Sequence, residues 1–326
     1  MPGEKGLINP QVAYRPGVRG SLKYRIRTLQ HRVNAWRRDW LLFLKKPTGV
    51  IGIAIIGLFA LLVLAQPLLM STVWDDSIYD PILGYDAGAE PHPSKPSVQH
   101  LLGTDEQGRD VLSRLAYASR TSFGVGIIAA LVGTLVGTGI GMAAAYYEGK
   151  VDTTLMTLAD AFILLPPAIV LLIVGLIFQL SWIVVGVLFG ILAGLGSFAL
   201  VMKSHALSIK SSQYVEAGRI AGGGDWRIIR VHILPNLLTL IMVNMMFIVT
   251  GAVMIEALLS YLGRTEFRMS WGTMIWRAQE SMSGFAYGEN LHVLIPPALA
   301  IMLFCGAFYM VGRSLEEITN PRLKSR

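Results

Sequence analysis

The sequence has little that would support catalysis or a disulfide-bonded fold. Its single cysteine, Cys305, excludes a disulfide framework and a cysteine-based metal site within the chain. The six histidines are scattered without an HExxH pattern, and there is no GxxxxGK(S/T) phosphate loop. We therefore expect no catalytic residue, no metal site and no cofactor bound by this chain.

Charge is also scarce. Charged residues make up 15% of the chain and hydrophobic residues 53%, with a mean hydropathy of +0.53, which is too apolar for a soluble domain. Crossing a hydrocarbon core of roughly 30 Å takes about 20 mostly apolar residues. Runs of that kind lie at 49–70, 121–146, 155–178, 182–202, 237–260 and 291–312. The sequence thus predicts an all-α membrane protein with six transmembrane helices, the third and fourth separated near residues 179–182.

The charges that are present predict an orientation. Residues 1–46 contain eleven Lys and Arg, whereas residues 70–118 contain eight Asp and Glu against three basic residues. By the positive-inside rule, the N-terminus is cytoplasmic and the acidic stretch is extracytoplasmic. Six crossings then place residues 203–236 and the C-terminus, both basic, in the cytoplasm. Insertion and anionic lipid account for the net charge of +7, so we expect no nucleic-acid partner.

These predictions divide the chain into parts. They are a basic cytoplasmic segment at 1–47, a first helix and extracytoplasmic loop at 48–120, a transmembrane core at 121–312 that includes the loop 203–236, and a cytoplasmic tail at 313–326. Apolar residues at helical spacing between 21 and 40 allow an amphipathic helix on the inner membrane surface. A tail whose charge only sets orientation is the alternative.

The loop 203–236 is too elaborate for a simple return to the membrane, which needs only a few residues. Residues 214–221 can form a short helix, with Ser211 or Ser212 as its N-cap. The glycines at 222–224 should break it, and Asp225 can cap a second helix that Pro235 ends. A polar loop of this kind indicates contact with a partner.

The residues of this loop resemble the EAA loop of the permease subunits of ABC importers. The match consists of Glu216-Ala217-Gly218, Gly222 and Leu234-Pro235, with Gly218 where the family usually has Ala and His232 where it favours Ile. The resemblance implies a coupling helix that is seated on an ATP-binding subunit. The coupling residues it indicates are Glu216, Ala217, Gly218, Arg219, Gly222 and Asp225.

A second motif follows the acidic loop. In residues 102–114 the glycines allow turns, the aspartates can accept bonds from backbone N–H groups, and the arginines can pair with the aspartates. The string LGTDxxGRDxxSR resembles the C-type subunits of the dipeptide and oligopeptide permease group. Its motif residues are Gly103, Asp105, Gly108, Arg109, Asp110 and Arg114.

Two polar residues of the fifth span are candidates for a translocation path. Glu256, in a stretch that resembles the same family, and Asn244 could both line it. Equally, Glu256 could hold the neighbouring outer loop through hydrogen bonds, an interpretation that needs no substrate.

The resemblance implies an importer of dipeptides or oligopeptides in the cytoplasmic membrane. Its expected partners are a homologous permease subunit, two ATP-binding subunits that hold ATP and Mg, an extracytoplasmic solute-binding protein and membrane lipid. Other solutes carried by such permeases are nickel chelates, oligosaccharides and opines. An ion-coupled secondary transporter is the rival, although ionisable residues within the spans are few.

Overall fold

The computed structural model describes residues 40–265, 269–281 and 290–319. The chain divides into two compact units, Met1–Lys45 and Lys46–Arg326. Of the first unit the described part is helical over residues 40–44, where the rings of Trp40 and Phe43 stack with centroids 5.6 Å apart. The alternatives for residues 21–40 and the tail from residue 320 fall almost entirely outside the described residues.

The second unit is built from helices. They are α1 Pro47–Thr72, α2 Asp76–Tyr79, α3 Val111–Tyr147, α4 Gly149–Ile163, α5 Pro167–Ile177, α6 Trp182–Ala193, α7 Ala199–Lys210, α8 Gln213–Ile220, α9 Asp225–Ile228, α10 Leu234–Tyr261, α11 Trp271–Ser281 and α12 Leu291–Thr319. A π-helical turn, Gly194–Phe198, joins α6 to α7, and another, Ile229–Ile233, joins α9 to α10. The described ranges contain two isolated bridges and no extended strand. The predicted all-α class is confirmed.

The number of spans also agrees with the prediction. Among the described residues, five helical segments are long and apolar enough to cross a membrane: Pro47–Thr72, Val111–Tyr147, Trp182–Lys210, Asp225–Tyr261 and Leu291–Ile318. A sixth crossing is available if α4 and α5, bent by 75° at their junction, form one span. The bend lies at Pro166 and Pro167, because proline lacks a backbone donor and its ring clashes with the preceding turn.

Helix α3 begins at Val111, ten residues before the apolar run that was predicted as the second span. Asp110 is its N-cap and accepts a hydrogen bond from the Ser113 N–H at 2.6 Å. Polar residues in the first turns of α3 lower the local hydropathy, which is why the helix start could not be predicted. These residues form hydrogen bonds within the chain. The Ser113 hydroxyl donates to the Tyr79 carbonyl at 2.6 Å, and Arg120 donates to Gln66 at 2.6 Å.

The helix that holds the fifth predicted span also begins before its apolar run, since α9, the π turn and α10 form one helical segment over Asp225–Tyr261. Pro235 was expected to end a helix here, and that expectation is wrong. It stands in the first turn of α10, immediately after the π turn, where a missing N–H is tolerated.

Helix α3 is central to the packing. A methyl group at Gly133, Gly137 or Gly141 would lie 3.0, 2.9 or 2.6 Å from a carbonyl oxygen of the π turn or of its flanking helices α6 and α7. Glycine is therefore required for this close approach, and the stripe of small residues serves helix packing. The Val111 end of α3 contacts α11, through the Trp271 indole bonded to the Leu115 carbonyl at 3.2 Å. Its Tyr147 end contacts α7 and α9.

Candidate functional site

The first part of the candidate site is the short helix α8. It buries Val215 completely, while Glu216 and Ala217 are exposed beside it. Ser212 occupies the N-cap position, but its hydroxyl donates to the Ile209 carbonyl at 2.6 Å instead of capping α8. The predicted capping of α8 by the side chain of Ser211 or Ser212 is therefore wrong, although the helix begins within one residue of the predicted start.

A tight turn ends α8. The Gly222 N–H donates to the Arg219 carbonyl at 2.9 Å, and the Gly223 N–H donates to the Gly218 carbonyl at 3.0 Å. This pair of bonds is a Schellman motif, with Gly222 in the left-handed region at φ +82°. The predicted break at the three glycines is confirmed, and Gly222 is the one that the backbone conformation requires.

Asp225 fastens the second short helix to the transmembrane core. It was predicted to cap α9, but Gly224 occupies the N-cap position. The Asp225 carboxylate instead accepts a hydrogen bond from the Tyr146 hydroxyl at 2.5 Å. Because Tyr146 lies in the last turn of α3, this bond joins the loop to the central helix.

Two cations complete this junction. The Lys210 ammonium donates to the carbonyls of Ala145 and Tyr146 at 2.9 and 2.8 Å and to Glu148 at 2.6 Å, so it caps the C-terminal end of α3. The Lys210 hydrogen bond lowers the pKa of Glu148. The Lys210 and Arg219 cations lie 5.5 and 5.4 Å from the centre of the Tyr146 ring. We call Tyr146, Lys210, Arg219 and Asp225 the Tyr146 node.

The Tyr146 node contains two predicted coupling residues, Arg219 and Asp225, and two that sequence reasoning missed. Lys210 ends an apolar segment and Tyr146 precedes a short link, but neither position indicates which carbonyl or carboxylate it meets. Those contacts join residues about 65 to 80 positions apart in the chain. The sequence supplied no signal for them.

Replacing Lys210 by methionine is expected to destabilise the chain by about 1–3 kcal/mol, because the half-buried carbonyls at the end of α3 lose a charged donor. Thermal unfolding of the detergent-purified chain measures this. The matched control is Lys150→Met, since Lys150 is exposed and makes no hydrogen bond or ion pair with a described residue. An equal decrease in thermal stability in the two variants would rule out the capping role of Lys210.

An apolar tip projects from the two short helices. Ile220 is 83% exposed and Trp226 is 72% exposed, whereas Val215 and Ile228 on the same helices are buried. Large apolar side chains held out from a polar loop are typical of a protein contact surface. We call Ile220 and Trp226 the apolar tip. Sequence reasoning did not single them out, although two large hydrophobic residues beside three glycines were a visible signal.

The two departures from the family pattern in this loop are neighbours in space. A methyl group at Gly218 would lie 3.2 Å from Nε2 of His232, which is closer than nearly all such contacts. The His232 ring also lies 6.2 Å from the ring of Tyr214. Gly218 therefore leaves room for the imidazole of His232, at the two positions where the family pattern has Ala and Ile.

The second motif forms a compact cluster at the Val111 end of α3. Oδ2 of Asp105 accepts from the Arg109 guanidinium at 2.9 and 2.7 Å and also from Arg114. Its Oδ1 accepts the backbone N–H groups of Gln107 and Arg109 at 2.9 and 3.0 Å. The predicted pairing of aspartates with arginines and backbone donors is confirmed for Asp105. Both motif glycines, Gly103 and Gly108, have positive φ, at +78° and +72°.

Asp110 pairs with a histidine instead of an arginine. The buried ring of His100 bridges Asp110 and Asp86, with both nitrogen–oxygen distances 2.9 Å. Burial raises the pKa of Asp110 despite the bonds it accepts from Ser113 and His100. The predicted pairing of Asp110 with an arginine is thus wrong, because His100 occupies that side of the carboxylate.

His100 should make the loop sensitive to alkaline pH. Burial opposes protonation of the ring, but its hydrogen bonds to Asp86 and Asp110 outweigh burial and raise the pKa of His100 above its usual 6.5. A raised pKa stabilises the fold below the unfolded value, and this stabilisation is lost as pH rises through the folded value. The bond from His100 lowers the pKa of Asp86, so that carboxylate's contribution disappears only in acid.

We therefore expect the difference in Tm between the wild-type chain and His100→Asn to shrink as the pH is raised from about 6 to about 9. Thermal unfolding at a series of pH values measures it. A difference that stays constant over this range would contradict a charged His100.

A family model described as the binding-protein-dependent transport system inner membrane component matches residues 133–325. That match covers more than half of the chain, including the whole of the candidate loop. The chain belongs to this family. The resemblance identified from the loop and motif residues is thereby confirmed, and the chain is a transport permease component with several membrane-crossing helices.

Relatives of this permease match over most of their length. The glutathione transport system permease protein GsiD of Pectobacterium atrosepticum is 32% identical over 294 residues, which is 89% of this chain and 92% of the relative. The dipeptide transport system permease protein DppC of Bacillus subtilis is 33% identical over 234 residues, or 70% of this chain and 71% of the relative. DppC of Alkalihalophilus pseudofirmus is 28% identical over 300 residues, or 90% and 92%.

The two predicted path residues of the permease lie in α10. Glu256 is fully buried, and its carboxylate accepts from Ser260 at 2.8 Å and from Ser122 of α3 at 3.3 Å. These bonds join Glu256 to its own helix and to α3, so its predicted role in holding the outer loop stays a prediction. The Asn244 amide donates to the Leu240 carbonyl of its own helix at 2.9 Å. A role in a translocation path stays a prediction for both residues.

Proposed function

We propose that this chain is one of two permease subunits in an ATP-driven importer of dipeptides or other short peptides across the cytoplasmic membrane. A homologous permease would complete the pathway, two ATP-binding subunits would hydrolyse ATP with Mg, and an extracytoplasmic binding protein would deliver the solute. The chain itself would perform no chemistry. The names of its relatives, which refer to glutathione and dipeptides, support the substrate class.

In this proposal both termini and the loop 203–236 face the cytoplasm. The distribution of Lys and Arg supports that orientation. Lys46 pairs with Glu317 at 2.8 Å, so the start of α1 and the end of α12 lie on the same side of the helix bundle. A chain that crosses the membrane an even number of times has both of its ends on the same side, which agrees with this contact.

The observation that carries the proposal is the construction of the loop. Its apolar tip is exposed, its buried residues Val215 and Ile228 lie against the core, and the Tyr146 node joins it to α3. From Asp225 the chain continues without interruption into the fifth span. If an ATP-binding subunit bound the apolar tip, the closure of the two ATP-binding subunits around ATP would therefore move α3 and α10 together. Rigid tilting of helices of this kind can switch a central cavity between outward and inward access.

Uptake into proteoliposomes that contain the complete assembly tests the proposal. We expect uptake that requires ATP and continues when ionophores remove ion gradients. Uptake that ionophores abolish and ATP does not support would instead identify the ion-coupled rival.

The substrate class has a separate test. The cognate binding protein, purified with its endogenous ligand, is expected to release a short peptide on denaturation, identifiable by mass spectrometry. A nickel chelate, an oligosaccharide or an opine would contradict the peptide assignment and leave the permease assignment intact.

A further inference from the structure

A cavity of about 330 Å³ lies at the Val111 end of α3, between the second motif and α11. Its lining includes three arginines, Arg109 and Arg114 from the motif and Arg277 from α11. We call it the arginine cavity. Its volume is at the lower end of the range of small-molecule sites.

The charges of the arginine cavity are not balanced at its buried side. Asp105 is the buried carboxylate of the lining, and both of its oxygens are occupied. Oδ1 accepts hydrogen bonds from two backbone N–H groups, and Oδ2 accepts hydrogen bonds from the guanidinium groups of Arg109 and Arg114. Asp105 therefore has no oxygen left to offer Arg277.

Arg277 is the third arginine of the lining. Half-buried in the cavity wall, it makes no hydrogen bond or ion pair with any residue in the described ranges. Burial lowers its pKa most and the neighbouring charge of Arg109 lowers it further, while the charges of Asp105 and Glu280 raise it by less. The Nε–H of Arg114, whose residue is 2% exposed, likewise has no acceptor within the described part of the chain. Buried donors left without acceptors cost free energy, so an anion in the cavity would be stabilising.

The remaining lining indicates what kind of anion fits. Met274, Trp276 and Val293 supply an apolar wall next to the guanidiniums. Glu106 and Glu280 also line the cavity, but both are exposed, so water screens their charge more than that of Asp105. A guanidinium fork matches the two oxygens of a carboxylate, and the apolar wall suits a hydrocarbon group attached to it.

We propose that the arginine cavity binds a carboxylate group carried on an apolar body, with Arg277 as its main partner. Two sources could supply it: the terminal carboxylate of a free small molecule, or an acidic side chain of an extracytoplasmic protein that docks at this end. The second source rests on the proposed function, whereas binding of the carboxylate itself does not.

Calorimetric titration of the full-length chain in nanodiscs tests the site without ATP or transport. The probes are N-acetyl-leucine and its uncharged analogue N-acetyl-leucinamide, which share the apolar body and differ in the carboxylate. We expect saturable binding of the acid and no binding of the amide. Equal binding of the two, binding of neither, or tighter binding of inorganic phosphate than of the acid would overturn the proposal.

Variants locate the site. Arg277→Gln should weaken N-acetyl-leucine binding by roughly tenfold or more, since a charged hydrogen bond is lost. Arg264→Gln is the matched control, because Arg264 is exposed near the same end and outside the cavity lining. An unchanged Kd in Arg277→Gln would also overturn the proposal, with thermal unfolding used to confirm that the variant is folded.

A competition experiment distinguishes the two sources. If the cognate binding protein displaces N-acetyl-leucine from the assembled transporter, the natural occupant is an acidic side chain of that protein. If both bind together, a free carboxylate is the natural ligand. Transport failure with intact probe binding would count against the proposed function alone.

Discussion

The substitutions Trp226→Asp and Ile220→Asp are expected to abolish substrate-stimulated ATP hydrolysis by the assembled transporter while leaving the chain folded in the membrane. Trp226 is 72% exposed and Ile220 83%, so the isolated chain loses little packing when they are changed. A charge placed at the centre of an apolar contact removes the anchor and buries an unpaired carboxylate. Loss of such an anchor costs about 2–4 kcal/mol, or roughly 30-fold or more in affinity.

Two measurements are needed: ATPase activity of the reconstituted complex, and co-purification of the ATP-binding subunits with the permease. Val98→Asp is the matched control for Ile220→Asp, since Val98 is 96% exposed and lies in the loop between α2 and α3. We expect that control to couple normally. Coupling retained in both tip variants would refute the role of the apolar tip.

Two further substitutions in the loop 203–236 test whether the loop couples to the ATPase, without testing a single contact. Gly222→Pro cannot adopt the φ of +82° that the Schellman turn requires, so the turn must rearrange. Glu216→Lys reverses an exposed charge in the first turn of α8. Both variants are expected to insert in the membrane and to lose ATPase stimulation, which places coupling in the loop as a whole.

The replacement of Asp105 by alanine is expected to have the largest effect on stability. It would leave Arg109 and Arg114 without their shared carboxylate, and two backbone N–H groups without an acceptor. Removing one partner from a buried ion pair costs about 3–5 kcal/mol, because the remaining charge stays desolvated. Thermal unfolding and the yield of folded protein measure the loss.

The neighbouring Glu106 provides the comparison. It is exposed and lies in the same turn, so Glu106→Gln should change stability by less than about 0.5 kcal/mol. The two substitutions together distinguish a buried charge network from general sensitivity of the loop. If Asp105→Ala were as stable as Glu106→Gln, the carboxylate would not be what holds the loop.

Much of the fold could be predicted because apolar length and proline position act locally. The apolar runs predicted six crossings, and the three glycines predicted the break after α8. Pro166 and Pro167 lie at the bend between α4 and α5 and act there through their own backbone. The helix boundaries could not be predicted in the same way. α3 begins at Val111 because Ser113 and Arg120 find partners elsewhere in the chain, and a hydropathy reading treats such residues as solvent-exposed.

The predictions about single side chains depended more on tertiary context. Asp105 was correctly expected to bind arginines, since Arg109 is four residues away and the pairing is local. Asp110 and Asp225 were assigned the wrong partners. His100 and Tyr146 reach them from ten and seventy-nine residues away. No local pattern specifies those contacts.

The sequence by itself determined the class of molecule, the number of crossings, the identity of the polar loop and the family to which its motifs belong. These features follow from composition, glycine and proline positions, and residues close together in the chain. Only the tertiary structure decided that Arg219 and Asp225 turn toward Tyr146, that Ile220 and Trp226 remain exposed, and that Arg277 faces the motif arginines. The direction and partners of a side chain depend on how distant helices pack, and that information is not contained in local spacing.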